Sequence, residues 1–592
     1  MKKNLLAFLC VITLIDLGFS QDYSNLWEAH YSYLKIVDVT QGNGRIYVAS
    51  ENAVFTYDSQ TSELETITTV DGLSGDFIST LHYSETYEMI LIGYENGLME
   101  IYIEPEEDVL TVVDIVEKPT IPPDEKRINH FNEYEGLVYI STDYGISVYD
   151  LSRLEFGDTY YIGDGGSQIK VNQTAIYNGF IYAACGDSNG LRRAFVDSDN
   201  LIDYQEWFRR YVGNYHAVEA IENKLYAVRY SGDIFDISSD GPLVSLYDYQ
   251  SPIEDVKSNN DKLVVTTRNE TFIYNSEFDL ILNFSNTEVE SFFSSGTVLL
   301  DQIYIGTLEK GLISISLMDN TTFTEIYPDG PLRNNAFSIQ ADVGNLWVTY
   351  GEYSLTYFPA GRRYGVSYYS EEEWNNIPFD SLFLAKDLNA ISINPFNPQQ
   401  VFISSFQNGI LEINDFEPTI LYNETNSGLE SLIVPNNPNV VSVRVSGSTF
   451  DRQGVLWSVT SRVQRPLKSY DPNTGQWQGY DFSEIIPDGL RDELGFSDIG
   501  IDDIGTKWIG ALRSGLIGYN ENGNLIKNLF DEPNHNMPST GVFSLAVDNR
   551  NQVWIGTNKG LRVLYNTANF LTTVMLLHIL LLYSRMVYQK NY

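Results

Sequence analysis

Apolar and polar residues alternate in short runs along most of the chain, and the runs come in pairs. The pair VWIGTNKGLRVLY from Val553 shows the pattern. Val553, Ile555 and Thr557 fall on one side of an extended segment and Trp554 and Gly556 on the other, a turn with Asn and Gly follows, and a second alternating run completes a hairpin. Eleven further units precede it. They are IYVASENAVFTYD from Ile46, ILIGYENGLMEIY from Ile90, VYISTDYGISVYD from Val138, IYAACGDSNGLRR from Ile181, LYAVRYSGDIFDI from Leu225 and LVVTTRNETFIYN from Leu263. Then come IYIGTLEKGLISI from Ile303, LWVTYGEYSLTYF from Leu346, VFISSFQNGILEI from Val401, LWSVTSRVQRPLKSYD from Leu456 and KWIGALRSGLIGYN from Lys507.

Starts spaced by roughly 40 to 55 residues are the period of four-stranded propeller blades. The expected fold is therefore all-β. The position of Gly556 is small in most copies (Ala49, Gly93, Ser141, Ala184, Gly306, Ser404, Gly510), which lets one blade approach the next without a Cβ between them. The aromatic position two residues before the small one is Tyr47, Leu91, Tyr139, Tyr182, Tyr226, Val264 and Tyr304 in seven copies, then Trp347, Phe402, Trp457, Trp508 and Trp554 in five. A ring of twelve would exceed the usual four to eight blades. The change of aromatic, with longer spacing after Trp347, predicts two tandem propellers: residues 21–325 with about seven blades, and residues 326–565 with at least five and incomplete. Truncating Trp508 or Trp554 is expected to cost about 3–5 kcal/mol alike. DGL-type turns at Val70 to Ile78, Pro328 to Leu332 and Pro487 to Arg491 read as linkers between blades.

Composition adds the compartment. A basic head (Lys2, Lys3), an apolar run to Leu17 and small residues before Gln21 read as a secretory signal peptide over 1–20, so the chain is expected to be exported. Cys10 lies in that run. Cys185, flanked by Ala184 and Gly186, reads as a small buried filler of a strand. A net charge of −42 argues against nucleic acid as a partner, because phosphate binding needs a basic face.

The DGL turn with a WIGT…GL…Y hairpin resembles the two-component-regulator propeller repeat found in surface and sensor proteins of Bacteroidetes. The opening WEAHYSYLKIVDV from Trp27, running into IYVASENAVFTYD, resembles the start of the PorZ family of the type IX secretion system. That resemblance implies a non-enzymatic component at the outer-membrane surface, or in the periplasm, within an attachment complex with the PorU sortase, PorV and PorQ. It also implies presentation of anionic lipopolysaccharide to the sortase, with no catalytic residue to carry over. The alternative is the extracellular glycan-sensing part of a hybrid two-component regulator. The tail 566–592 departs from the family pattern: it holds no Asp or Glu, its apolar run around His578 is short for a membrane span, and it reads as frameshifted or truncated sequence.

Catalytic, metal and cofactor motifs yield no assignment. His30, His82, His130, His216, His535 and His578 are scattered, without metal-ligand spacing. DSDNLID from Asp197 gathers carboxylates, but Leu201 stands where a calcium loop wants an oxygen, so it reads as a solvated loop. Asp502-Asp503 and the run Glu371 to Glu373 read as surface charge. A propeller enzyme would need His, Arg and Tyr gathered on one rim, and separate blades could supply them.

Overall fold

The structure is a computed structural model that describes residues 27–570 except 260, 435, 436, 438, 531 and 569. The expected signal peptide, Cys10, His578 and nearly all of the tail lie outside the described residues. The chain divides into two compact units, Met1–Gly330 and Pro331–Tyr592. The expected boundary at 325/326 falls inside the strand Thr324–Ile326, which pairs into the last sheet of the first unit, so the observed division lies a few residues later, in the Pro328 turn.

In the first unit seven antiparallel four-stranded sheets follow one another, at 36–67, 78–112, 128–160, 171–211, 215–248, 253–285 and 293–326; they are called here blades 1 to 7. Each repeat unit read from the sequence supplies the two middle strands of a blade. The innermost strand precedes it and the outermost, more polar strand follows. Innermost strands pack on the innermost strands of the neighbouring blades, and blade 1 packs on blade 7, so the ring closes. Apolar clusters fill each gap between blades: Tyr47 joins Ile78, Leu81 and Tyr83 of blade 2, and Tyr304 joins Ile36, Val39 and Phe55 of blade 1. The small position does what the pattern suggested. A Cβ on Gly93 would meet Ile128 of blade 3 at 2.7 Å, and one on Gly306 would meet Ile36 of blade 1 at 2.6 Å.

Among the described residues the second unit holds five sheets, blades 8 to 12, at 338–377, 388–422, 445–480, 496–529 and 542–564; the last has three strands. The copy at Leu346 differs from its expected form. Its first strand, Asn345–Thr349, pairs with Val366–Ser370 and not with the residues at 354–358, because Tyr353 and Tyr357 of the intervening loop stack at 5.2 Å and pack on Phe406. Tryptophans fill the gaps here. Trp347, Trp457 and Trp508 are buried against the blades that follow them.

A second device, not anticipated from the pattern, fixes three of these rings. Asp451, Asp502 and Asp548 each stand six residues before a Trp. Each accepts the indole N–H (2.7, 3.0 and 3.0 Å) while its other oxygen caps backbone N–H groups of the turn. Asp502 is therefore buried and structural, contrary to the surface reading; Asp503 is exposed and pairs with Arg452. The run Glu371 to Glu373 does lie on an exposed turn.

Candidate functional site

Ionisable groups, among them Asp38, His130, Lys170, His216, Asp255 and Lys257, line the axis of the first propeller around a cavity of about 610 Å³. Backbone geometry builds its mouth. In all seven blades the register slips next to the first residue of the innermost strand, a β-bulge that leaves one residue unpaired. The residues that follow those first positions, among them Ser79, Asn129, Asn172, His216 and Glu254, all border the cavity. Four of them tie one blade to the next. Ser79 Oγ donates to Ile128 O (2.6 Å), Asn129 Nδ2 to Val171 O (2.9 Å) and Asn172 Nδ2 to Tyr215 O (2.7 Å), and His216 Nε2 lies 3.3 Å from Glu254 O.

Below the mouth sits a buried charge network across the ring closure. Lys257 of blade 6 is ion-paired with Asp38 of blade 1 and with Asp255 (3.1 Å), and also donates to Val39 O (2.8 Å) and Ser295 Oγ (2.9 Å). Ser295 of blade 7 lies 2.6 Å from the Asp255 carboxylate, and Asp38 accepts Leu81 N (2.8 Å) and Thr80 Oγ1 (3.0 Å) of blade 2. Burial pushes the Asp38 carboxyl up, but Lys257 and the donated hydrogen bonds overcome it and hold the group below its usual value. Burial likewise pushes the Lys257 ammonium down, and two carboxylates more than reverse that, so it stays charged.

Further round the wall, burial raises Glu219 to about 7 against the donors Ser258 and Gln173. Burial lowers His130 to about 3, helped by Lys257 and His82, and its Nδ1 has no hydrogen-bond partner among the described residues. His82 Nε2 lies 3.0 Å from Glu133.

Two of the six histidines, His130 and His216, thus line the cavity, and His82 lies near His130, which the linear reading did not bring out. The signal was there: His82, His130 and His216 are 48 and 86 residues apart, about one and two blade periods. They do not form a metal centre, and among the described residues no three His, Cys, Asp or Glu side chains gather as ligands.

The rim brings His216, Tyr230, Lys170 and Arg127 together, as a propeller enzyme would require, but each is engaged. Tyr230 donates to Asn172 (3.1 Å), and burial raises its pKa, so it is a poor base. Lys170 pairs with Asp143 (3.1 Å) and Arg127 with Glu95 (2.5 Å). The arrangement fixes charges and donors.

The other sequence candidates lie elsewhere. Cys185 is fully buried in blade 4, where burial raises its thiol to about 12. In the loop at Asp197 the indole N–H of Trp207 donates to Leu201 O (3.0 Å) and Asp203 accepts Gln205 N (3.0 Å), so the loop closes on itself. His30 is 3.9 Å from Glu28, and His535 packs beside Phe530. The axis of the second unit holds a cavity of about 650 Å³ lined by Ser392, Ser446, Ser448, Ser497 and Asp498; burial raises Asp498 to about 6.

Comparison with known proteins follows this geometry. Residues 46–208, blades 1 to 4, match the family described as the type IX secretion PorZ N-terminal β-propeller domain, and residues 536–559 match the two-component-regulator propeller repeat. No curated protein matches the chain. Among solved structures, PorZ of Porphyromonas gingivalis, described as an essential surface component of the type IX secretion system, superposes with a TM-score of 0.79 at 18% identity, over 93% of this chain and 74% of that one. The extracellular domain of a hybrid two-component system from B. thetaiotaomicron gives a TM-score of 0.36 at 15% identity, over 90% of this chain and 75% of that one. Residues 46–208 are thus similar in sequence to the PorZ N-terminal propeller domain, and the chain shares the fold of the PorZ structure.

Proposed function

We propose that this chain is a non-enzymatic surface component of a type IX secretion attachment complex, supporting a PorU-like sortase and presenting anionic lipopolysaccharide to it. One observation carries the reading: the family match over residues 46–208 includes the bulged innermost strands of blades 2, 3 and 4, which contribute Ser79, Asn129 and Asn172 to the mouth. The chemistry of that mouth is consistent with binding and scaffolding. Its cations are paired, its carboxylates accept hydrogen bonds, and its tyrosine is protonated. The repeat at 536–559 is shared with sensor proteins and does not separate the two readings.

The test is a deletion strain complemented with this chain, scored for cargo joined to lipopolysaccharide and for co-purification of a sortase-like protease from outer membranes. Restored attachment with co-purification is the expected result. Normal attachment in the uncomplemented deletion overturns the reading.

A further inference from the structure

Blade 4 breaks the charge pattern of its ring. Of the other six outermost strands in the first propeller, five carry an Asp or Glu (Glu65, Asp108, Glu155 with Asp158, Asp248, Glu325) and none carries Lys or Arg. The outermost strand of blade 4, Phe208–Tyr211, reads FRRY, and its partner Gly190–Phe195 reads GLRRAF. Four arginines are gathered on one hairpin of a chain with 79 acids and 37 bases.

The register makes the arrangement costly. Arg192 stands directly opposite Arg209, and like charges in that position repel. One carboxylate serves both: Asp164 lies 2.6 Å from Arg192 and 3.7 Å from Arg209. A second carboxylate, Asp240, is likewise shared by Arg193 (3.1 Å) and Arg210. Four cations thus meet two anions, both about 70% exposed (71% and 73%). The guanidiniums are held in place by packing. Arg193 lies over the Phe180 ring (4.5 Å), which stacks on Phe195 (4.1 Å), and Arg210 lies over Tyr211 (4.8 Å).

Charged residues on an edge strand ordinarily keep other strands away, and the acids of the other blades fit that role. Blade 4 adds the opposite feature. Phe208, Phe195 and Val212 are 64, 57 and 70% exposed beside the arginines. Exposed aromatics with ordered arginines are the composition of a binding patch, and the strand Phe208–Tyr211 pairs on its outer side with no strand among the described residues.

We infer that the outer edge of blade 4 is a docking site for an extended acidic peptide segment of a partner protein. The segment adds a strand beside Phe208–Tyr211, sets a carboxylate against Arg209, the most exposed of the four arginines (42%), and covers the exposed phenylalanines. Charge complementarity selects an acidic occupant, and the apolar side chains with the open strand edge favour a peptide over a polysaccharide. The inference is independent of the secretion reading.

The test uses the exported chain and a fluorescein-labelled peptide alternating Glu and Val, read by anisotropy. Comparators are a Lys-Val peptide, a Glu-Val peptide with Pro at alternate positions, and heparin as a polyanion. Binding of the Glu-Val peptide alone, weakened at least about tenfold by Arg209→Glu and by Phe208→Ser, is expected. Phe208 is 64% and the Arg209 side chain 42% exposed, and an unchanged thermal midpoint confirms that each variant folds. Absence of Glu-Val binding, binding indifferent to both substitutions, equal binding of the Pro-containing peptide, or heparin binding that is lost in Arg209→Glu while the peptide does not bind, each overturns the inference.

Discussion

The two propellers use one repeat in two arrangements among the described residues. In the first, each blade meets a neighbour on both sides: Gly306 of blade 7 faces Ile36 of blade 1, Gly311 N donates to Leu34 O (2.8 Å), and the Lys257 network spans blades 1, 2, 6 and 7. In the second, blades 8 to 12 pack in order, but among the described residues the extensive packing of innermost strands is not repeated between blade 12 and blade 8. The consequences are visible at both flanks. Blade 8 exposes Ile339 and Val343 (63 and 94%), and a Cβ on Gly556 of blade 12 would meet only Ser544 of its own blade. The same residue type in the same repeat position therefore has different energetic weight according to whether a neighbour is present.

The largest effect is expected where closure concentrates charge. Replacing Lys257 by Met leaves Asp38 and Asp255 buried without their cation, a cost of about 3–5 kcal/mol. The tryptophans make the two units separable: Trp347, Trp374, Trp457, Trp477, Trp508 and Trp554 lie in the second, and only Trp27 and Trp207 in the first. Lys257→Met should lower the melting transition seen by far-UV circular dichroism and leave the transition seen by tryptophan fluorescence in place. A shift of the fluorescence transition alone would contradict the assignment of the network to ring closure.

Next come the paired tryptophans, for which the structure corrects the equal costs expected from sequence. Trp508 is fully buried between blades, with Phe570 4.8 Å away, whereas Trp554 is only half-buried, with no following blade among the described residues. Trp508→Ala should cost about 3–5 kcal/mol, and Trp554→Ala about 1 kcal/mol, chiefly the lost bond to Asp548. Urea midpoints followed by fluorescence check this, and equal shifts would show that blade 12 is covered. Phe570 falls within the stretch read from sequence as an anomalous tail, yet it is buried in the gap between blades 11 and 12, against Trp508 and Gly518 of blade 11.

The repeat unit was legible because the two middle strands of each blade are buried on both faces, which keeps Tyr47, Tyr304 or Trp508 aromatic and Gly93 or Gly306 small. The site was not legible, because its residues come from the innermost strands, one per blade, and a bulge decides which side chain faces the axis. Asp38 and Lys257 are 219 positions apart and meet only when the ring closes. Asp502 was misread for a local reason: its acid neighbour Asp503 is exposed, and only the turn geometry distinguishes the two.

Acid titration sharpens the comparison at an intermediate level. Burial raises Asp498 to about 6 from an unfolded value near 3.9, so its contribution to the second unit is present below about pH 3.9 and is lost as the pH rises through 6. In the first unit Glu219, raised to about 7, acts in the same sense between about pH 4.3 and 7. His130, lowered to about 3, acts in the opposite sense between 3 and about 6.5, adding stability as the pH rises. The two largely cancel in the first ring, and no such pair faces Asp498. Asp498→Asn should therefore flatten the fluorescence-detected stability between pH 4 and 6 by up to about 1.4 kcal/mol per pH unit relative to the parent. Parallel profiles would mean that the carboxyl is hydrated.

The smallest effect isolates the neighbour itself. Gly306 and Gly556 occupy one position of the repeat, so Gly→Ala has the same intrinsic backbone effect at both. At Gly306 the added methyl group lies 2.6 Å from Ile36 Cγ2 and 3.0 Å from its Cβ, a branched side chain fixed between two blades, and relief requires blades 1 and 7 to separate slightly. At Gly556 the only crowding atom nearer than 3.4 Å is Ser544 Oγ, which rotates away at little cost. Gly306→Ala should destabilise the first unit by about 1–2 kcal/mol and Gly556→Ala leave the second within about 0.5 kcal/mol. Comparable losses in both would show that blade 12 has a neighbour pressed against it, as every blade of the closed ring does.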